Sequence, residues 1–257
     1  MEWSDVADAL WEAERRGNPI SPLTQQLQEM SVEDAYYVQQ LVAQKKQGLG
    51  QRMIGRKVGL TSVAMQHMLG VNEPDYGLLF DAMVIRNGGS VSLDALIAPK
   101  IEAEIGFVLK EPLAHRNVTF TDVLQATDYV VPTLEIIDSR IENWDITLAD
   151  TVADNGSSAL VVLGEQKTSI AGIDFRSSPM ILSRNEKMIA TGAGAAALGH
   201  PAQAIAWLAN TLYERGMPLQ AGELILPGAL AAAETVLAGD QFTAQFGVLG
   251  DVCVSFV

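Results

Sequence analysis

The stretch "PKIEAEIGFVLK", Pro99 to Lys110, carries two glutamates two residues apart inside an otherwise apolar run. Side chains alternate faces along a β-strand, so Ile101, Ala103, Ile105, Phe107 and Leu109 are expected to point one way and Glu102, Glu104, Gly106 and Val108 the other. The first set is a core face. The second has two readings: the wet side of an antiparallel strand packed on one face only, or a pair of carboxylates held for chemistry. What decides between them is which other groups the chain offers to that face.

The 257 residues are 48% hydrophobic and 19% charged, which suits one large domain or two modest ones and supplies enough apolar side chains for a core. A formal net charge of −14 excludes the basic surface that a nucleic acid or an anionic membrane requires. It also means that an acidic substrate needs a cation placed locally to receive it. Cys253 is the single cysteine, which rules out an internal disulfide and fits a reducing compartment such as the cytoplasm. No charged-then-apolar leader opens the sequence, and no apolar run reaches the ~18 residues of a membrane span. A soluble cytoplasmic protein, with neither nucleic acid nor membrane as partner, is expected.

Helical signals fill the first third. Ser4 is placed to cap a helix that stops at Gly17, Ser31 with Asp34 resembles a capping pair before "AYYVQQLVAQKKQG", and "TSVAMQHML" reads as a short helix from Thr61 or Ser62 to Gly70. From about residue 85 strands dominate, at 101–109, 129–137, 159–163, 179–183, 187–191, 223–227, 234–237, 241–246 and 251–257. Only "HPAQAIAWLANTLYERG" is strongly helical there, with Pro201 in its first turn and Gly216 at its stop. The expectation is an α+β chain, with a helical part over 1–80 docked on a β-rich catalytic part over 81–257.

A third acid bears on the opening stretch. Glu135 lies among Val130, Val131, Leu134, Ile136 and Ile137, where an unpaired carboxylate is costly to bury. Either a divalent cation binds it, or it pairs with a basic residue such as Arg140 or reaches solvent. Mg2+ or Mn2+ suits carboxylates from two adjacent strands, and no Cys/His spacing for zinc is present. Lys57, in "GRKVGLT", keeps more apolar company than a surface lysine usually does, and reads either as a ligand-facing cation or as a chain reaching out of a strand end. Asp75 after Pro74, and Asp154 with Asn155, read first as turn residues.

The ordered set "GRKVGLTS", "LGVNEPDYG", "PKIEAEIGFVL", "LEIIDSRIENWDI", "DTVADNGSS", "TGAGAAALGHPAQAIAWLAN" and "AGELILPGAL" resembles the 2-hydroxypentadienoate (2-keto-4-pentenoate) hydratase and 4-oxalocrotonate decarboxylase family of the fumarylacetoacetate hydrolase superfamily. The resemblance spans nearly the whole chain. It implies a helical N-terminal part packed on a β-sandwich or barrel-like domain, a homo-oligomer, and Mg2+ or Mn2+ held by Glu102, Glu104 and Glu135. It further implies a small 2-hydroxydienoate or 2-oxo acid substrate of aromatic meta-cleavage catabolism, with Lys57 and Asp75 as catalytic residues, and association with neighbouring pathway enzymes. Hydration of 2-hydroxypenta-2,4-dienoate is the expected reaction. The alternative is 4-oxalocrotonate decarboxylation, in whose pattern an apolar residue tends to stand at the Asp75 position, while Pro227 stands where a hydratase usually has Thr or Ser. A carbon–carbon hydrolase would need a histidine-based dyad from His67, His115 or His200, and a non-catalytic partner subunit would not need the intact acids.

Overall fold

The computed structural model describes residues 2–68 and 70–257. Three helices come first: α1 (Trp3–Arg16), α2 (Leu23–Gln26) and α3 (Val32–Gly48). The Ser31–Asp34 pair starts α3 as expected, each side chain accepting the other's backbone N–H, at 3.1 and 3.0 Å. Ser4, expected as the cap of α1, lies inside that helix instead. Asp5 sits at the third helical position and accepts the N–H of Glu2 at 3.1 Å, so the helix begins two residues earlier, and Gly17, at φ 63°, ends it. Val6, Ala7, Leu10 and Ala13 form the buried face of α1, which packs on α3.

The helical part ends there. Residues 53–59 and 75–80, inside the stretch expected to be helical, are strands β1 (Met53–Gly59) and β2 (Asp75–Phe80) of the main sheet. Between them α4 (Val63–Met68) is capped by Ser62, whose hydroxyl accepts the N–H of Met65 at 3.2 Å. The helix expected there also took in Leu69, which lies outside the described residues. The chain continues through β3 (Val84–Arg86), β4 (Gly89–Val91), β5 (Lys100–Leu109), α5 (Phe120–Ala126), β6 (Thr127–Ile137), α6 (Leu148–Ala153) and β7 (Ser158–Leu163). It ends with β8 (Pro179–Arg184), β9 (Lys187–Ala193), α7 (Pro201–Glu214), β10 (Leu224–Leu226), β11 (Glu234–Thr235), β12 (Gln241–Gln245) and β13 (Asp251–Phe256). Helices α5 and α6 were not expected; Thr119 with Asp122 and Thr147 with Asp150 cap them by the same reciprocal device as in α3.

The main sheet is mixed, in the order β2-β1-β10-β5-β6-β7-β3, with β11 added beside β5. Although β2 and β7 stand far apart in that order they touch, so the sheet curls back on itself. A smaller sheet, β4-β13-β12-β8-β9, packs against β6 and β7. The alternation read from "PKIEAEIGFVLK" describes β5 as it is found. Ile101, Ala103, Ile105, Phe107 and Leu109 are all buried in the larger core, together with Phe242, Phe256 and the apolar face of α7. The opposite face turns into the curl, where Val131, Val161, Leu224 and Leu226 form an apolar floor. Among the described residues no helix is long and apolar enough to cross a membrane.

Candidate metal centre and active site

Antiparallel pairing of β5 and β6 sets Glu102 directly opposite Glu135 and Glu104 opposite Thr133. Paired residues share a face, so the three carboxylates meet inside the curl, with one oxygen from each lying within 4.8 Å of the others. Glu104 and Glu135 are fully buried, and Glu102 is partly exposed at the rim. One oxygen of Glu104 accepts the N–H of Gly228 at 2.7 Å, whereas its other oxygen and both oxygens of Glu135 have no hydrogen-bond partner.

Lys57, on β1, is buried with its Nζ 3.9 Å from Glu135 Oε1. Asp75 is the first residue of β2 and stands opposite Gly59 in register. Its carboxylate occupies the room that a side chain at Gly59 would need: a Cβ there would overlap Asp75 Oδ1 and lie 3.3 Å from Lys57 Nζ. Asp75, which the sequence first suggested as a turn residue, is therefore a buried strand residue beside the lysine, and one of its oxygens is also without a hydrogen bond. Arg140, the candidate partner of Glu135, pairs instead with Asp154, donating from Nε at 2.5 Å. His200 caps α7, its Nδ1 accepting the N–H of Ala202 at 3.1 Å, while His67 and His115 are exposed.

The electrostatics follow from this crowding. Burial, then the neighbouring Glu135, pushes the Glu102 carboxyl up to about 7, and burial with Glu135 and Glu102 drives Glu104 well above the ordinary range. Burial also raises Asp75, against the pull of Lys57 and of the Gly59 N–H. For Lys57, burial disfavours the ammonium, but Glu135, Asp75, Glu102 and Glu104 together outweigh it and hold the amine above its usual value. A divalent cation fits this donor set: hard oxygen ligands from two strands, three of them buried without a hydrogen bond.

Two contributors escaped the sequence reading. The backbone N–H of Gly228 orients Glu104, and the turn Asp154–Ser157 packs beside Lys57. Asn-Gly within "ADNGSS" signals left-handed backbone, but nothing in its spacing says which strand it meets.

Residues 53–257 match the fumarylacetoacetate (FAA) hydrolase C-terminal family, and the chain belongs to it. Over 252 residues it is 48% identical to a 2-keto-4-pentenoate hydratase of Paraburkholderia xenovorans (strain LB400), covering 98% of this chain and 94% of that one. It is 45% identical to a 2-hydroxyhexa-2,4-dienoate hydratase of Comamonas testosteroni, covering 96% and 94%. Among solved structures, the 4-oxalocrotonate decarboxylase of Pseudomonas putida G7, complexed with magnesium and adipate, superposes with a TM-score of 0.97 at 40% identity, covering 99% of this chain and 97% of that one.

Proposed function

We propose that this chain is a metal-dependent hydro-lyase that adds water to 2-hydroxypenta-2,4-dienoate to give 4-hydroxy-2-oxopentanoate. The observation that carries the reading is the buried Lys57–Asp75 pair beside three convergent carboxylates, in a chain 48% identical to a named hydratase. Glu102, Glu104 and Glu135 would hold Mg2+ or Mn2+, which when bound supplies Lewis-acid stabilisation of negative charge on the substrate's C2 oxygen. Lys57 holds the acid end of the substrate, answering the overall negative charge of the protein, and assists proton transfer. Asp75, protonated more readily than an ordinary aspartate, delivers a proton to C5 as the dienol O–H is lost, which gives the 2-oxo-3-enoate. The resulting carboxylate then takes a proton from the water whose oxygen adds at C4, while C3 takes a proton from solvent in place of the one the dienol O–H released to it, so that Asp75 ends protonated as it began. The apolar floor of Val131, Val161, Leu224 and Leu226 keeps bulk water from beneath the reacting atoms.

The second reading is decarboxylation of 4-oxalocrotonate, favoured by the close superposition on a decarboxylase and disfavoured by the ionisable Asp75. Incubating the metal-loaded protein separately with 2-hydroxypenta-2,4-dienoate and with 2-hydroxymuconate-derived acids, and weighing the products, separates the two. Gain of one water supports the hydratase, and loss of carbon dioxide from the diacid supports the alternative. A cytoplasmic homo-oligomer that associates with neighbouring pathway enzymes completes the proposal. The lone Cys253 supports its location.

A further inference from the structure

Three successive residues after α6, Asn155, Gly156 and Ser157, have left-handed φ values of 58°, 59° and 55°. Only glycine takes that conformation without cost, so the turn persists because its surroundings over-determine it. On one side Arg140 clamps it. Its guanidinium donates to the carboxylate and the carbonyl of Asp154 and, at 2.6 and 3.1 Å, to the carbonyls of Asp138 and Ser158, while its backbone N–H donates to Asp154 Oδ2 at 3.0 Å. On the other side the Asn155 amide behaves like a strand partner for the free edge of β2, accepting the N–H of Leu78 at 2.7 Å and donating to its carbonyl at 2.9 Å. The turn thus closes the seam of the curled sheet. It closes it beside Lys57: a Cβ on Gly156 would lie 3.0 Å from Lys57 Cε and 3.3 Å from Nζ, and Gly77, the register partner of Lys57, packs against the Asn155 carbonyl.

We infer that the turn Asp154–Ser157 is a positioning element for Lys57, with Asn155 locking it to β2 and Gly156 forming the wall that sets the height of the ammonium between Glu135 and Asp75. A long, flexible side chain already confined to one path has little further entropy to lose when it engages substrate, and Gly156 is the residue that leaves room for that path. The assignment rests on Lys57 acting in the reaction proposed above. It adds two residues, neither of which needs to touch substrate.

A double-mutant cycle tests it on the full-length, Mg2+-loaded enzyme. Gly156→Ala is expected to lower kcat/KM for the dienoate at least ~10-fold while Mg2+ affinity by calorimetry stays within about threefold, since the three glutamates lie on other strands. In a Lys57→Met background, itself expected to lose ~100-fold, the same Gly156→Ala change should alter residual turnover by less than about twofold, because its target is gone. Asn155→Asp, which keeps the shape but loses the donor to the Leu78 carbonyl, should show the same dependence on Lys57 and stands in should Gly156→Ala not fold. Equal fold-losses in both backgrounds would overturn the positioning role while leaving the active-site reading intact. Parent turnover by Lys57→Met would overturn that reading, and the positioning role with it.

Discussion

Gly59→Ala is the sharpest perturbation the site offers, because it adds one methyl group and removes nothing. The new carbon would overlap Asp75 Oδ1 and come to 3.0 Å from its Cγ and 3.3 Å from Lys57 Nζ. The tightest contact, with Oδ1, sets the demand: to restore an ordinary van der Waals separation the Asp75 carboxylate oxygen must move by roughly 1–1.5 Å. Overpacking of this kind costs ~1–3 kcal/mol, and at about 2–4 °C per kcal/mol for a chain of this size the melting temperature should fall by ~2–12 °C. Displacing a catalytic group by about 1 Å costs on the order of 100-fold in rate, so turnover should collapse in a protein that remains folded. The dienoate's absorbance reports turnover, and calorimetry with Mg2+ reports the glutamate cluster, whose strands β5 and β6 do not include the mutated residue. A folded Gly59→Ala enzyme that keeps parental kcat would refute the placement of Asp75 at the reacting atoms.

Asp75→Asn keeps the shape and removes only the ionisable function; metal and substrate binding, followed by thermal shift, should persist while turnover falls by ~10²–10⁴. Chelation should abolish activity and Mg2+ or Mn2+ restore it, and full turnover in thoroughly chelated protein would dispose of the metal site. Glu104→Gln should weaken Mg2+ binding while leaving the fold intact, because the amide keeps an oxygen that can accept the Gly228 N–H. Mg2+ binding should also release protons: Glu102 is raised to about 7, so it is partly protonated near neutrality, and Glu104 is raised well above the ordinary carboxyl range, and any proton these carboxyls hold must be stripped for the ion. Affinity should therefore rise with pH through neutrality, and a binding enthalpy independent of the buffer's own protonation enthalpy would contradict this.

Much of this architecture is written in local pattern, and the exceptions have physical causes. The strands 101–109 and 129–137 are legible because one face of each is continuously apolar. Strand β1 is not: Arg56 and Lys57 interrupt it, and only the fold reveals that Arg56 is buried against Glu223 and Lys57 against Glu135. Asp75 follows Pro74 and so mimics a turn, although it opens a strand whose first side chain lies in the site. Helices α5 and α6 are short, and their Thr-x-x-Asp caps are weaker signals than the longer α3 provides. The acids Glu102, Glu104 and Glu135 stand out as charge in apolar company, whereas Asn155 reaches Leu78 across 77 residues of chain, a contact that no local spacing encodes.

Setting Glu102 across from Glu135 also has a bearing on how the sheet is assembled. Strand pairings slip by single residues, and a slip of one on either strand would turn its acids toward the core and bring Ile or Leu into the curl. An ion gripped by both strands at once would reward the native alignment alone, so its binding free energy would in part be a proofreading energy for the β5–β6 pairing. A cation bound there would double as an alignment pin, and hydrogen exchange along these two strands should slow when it arrives.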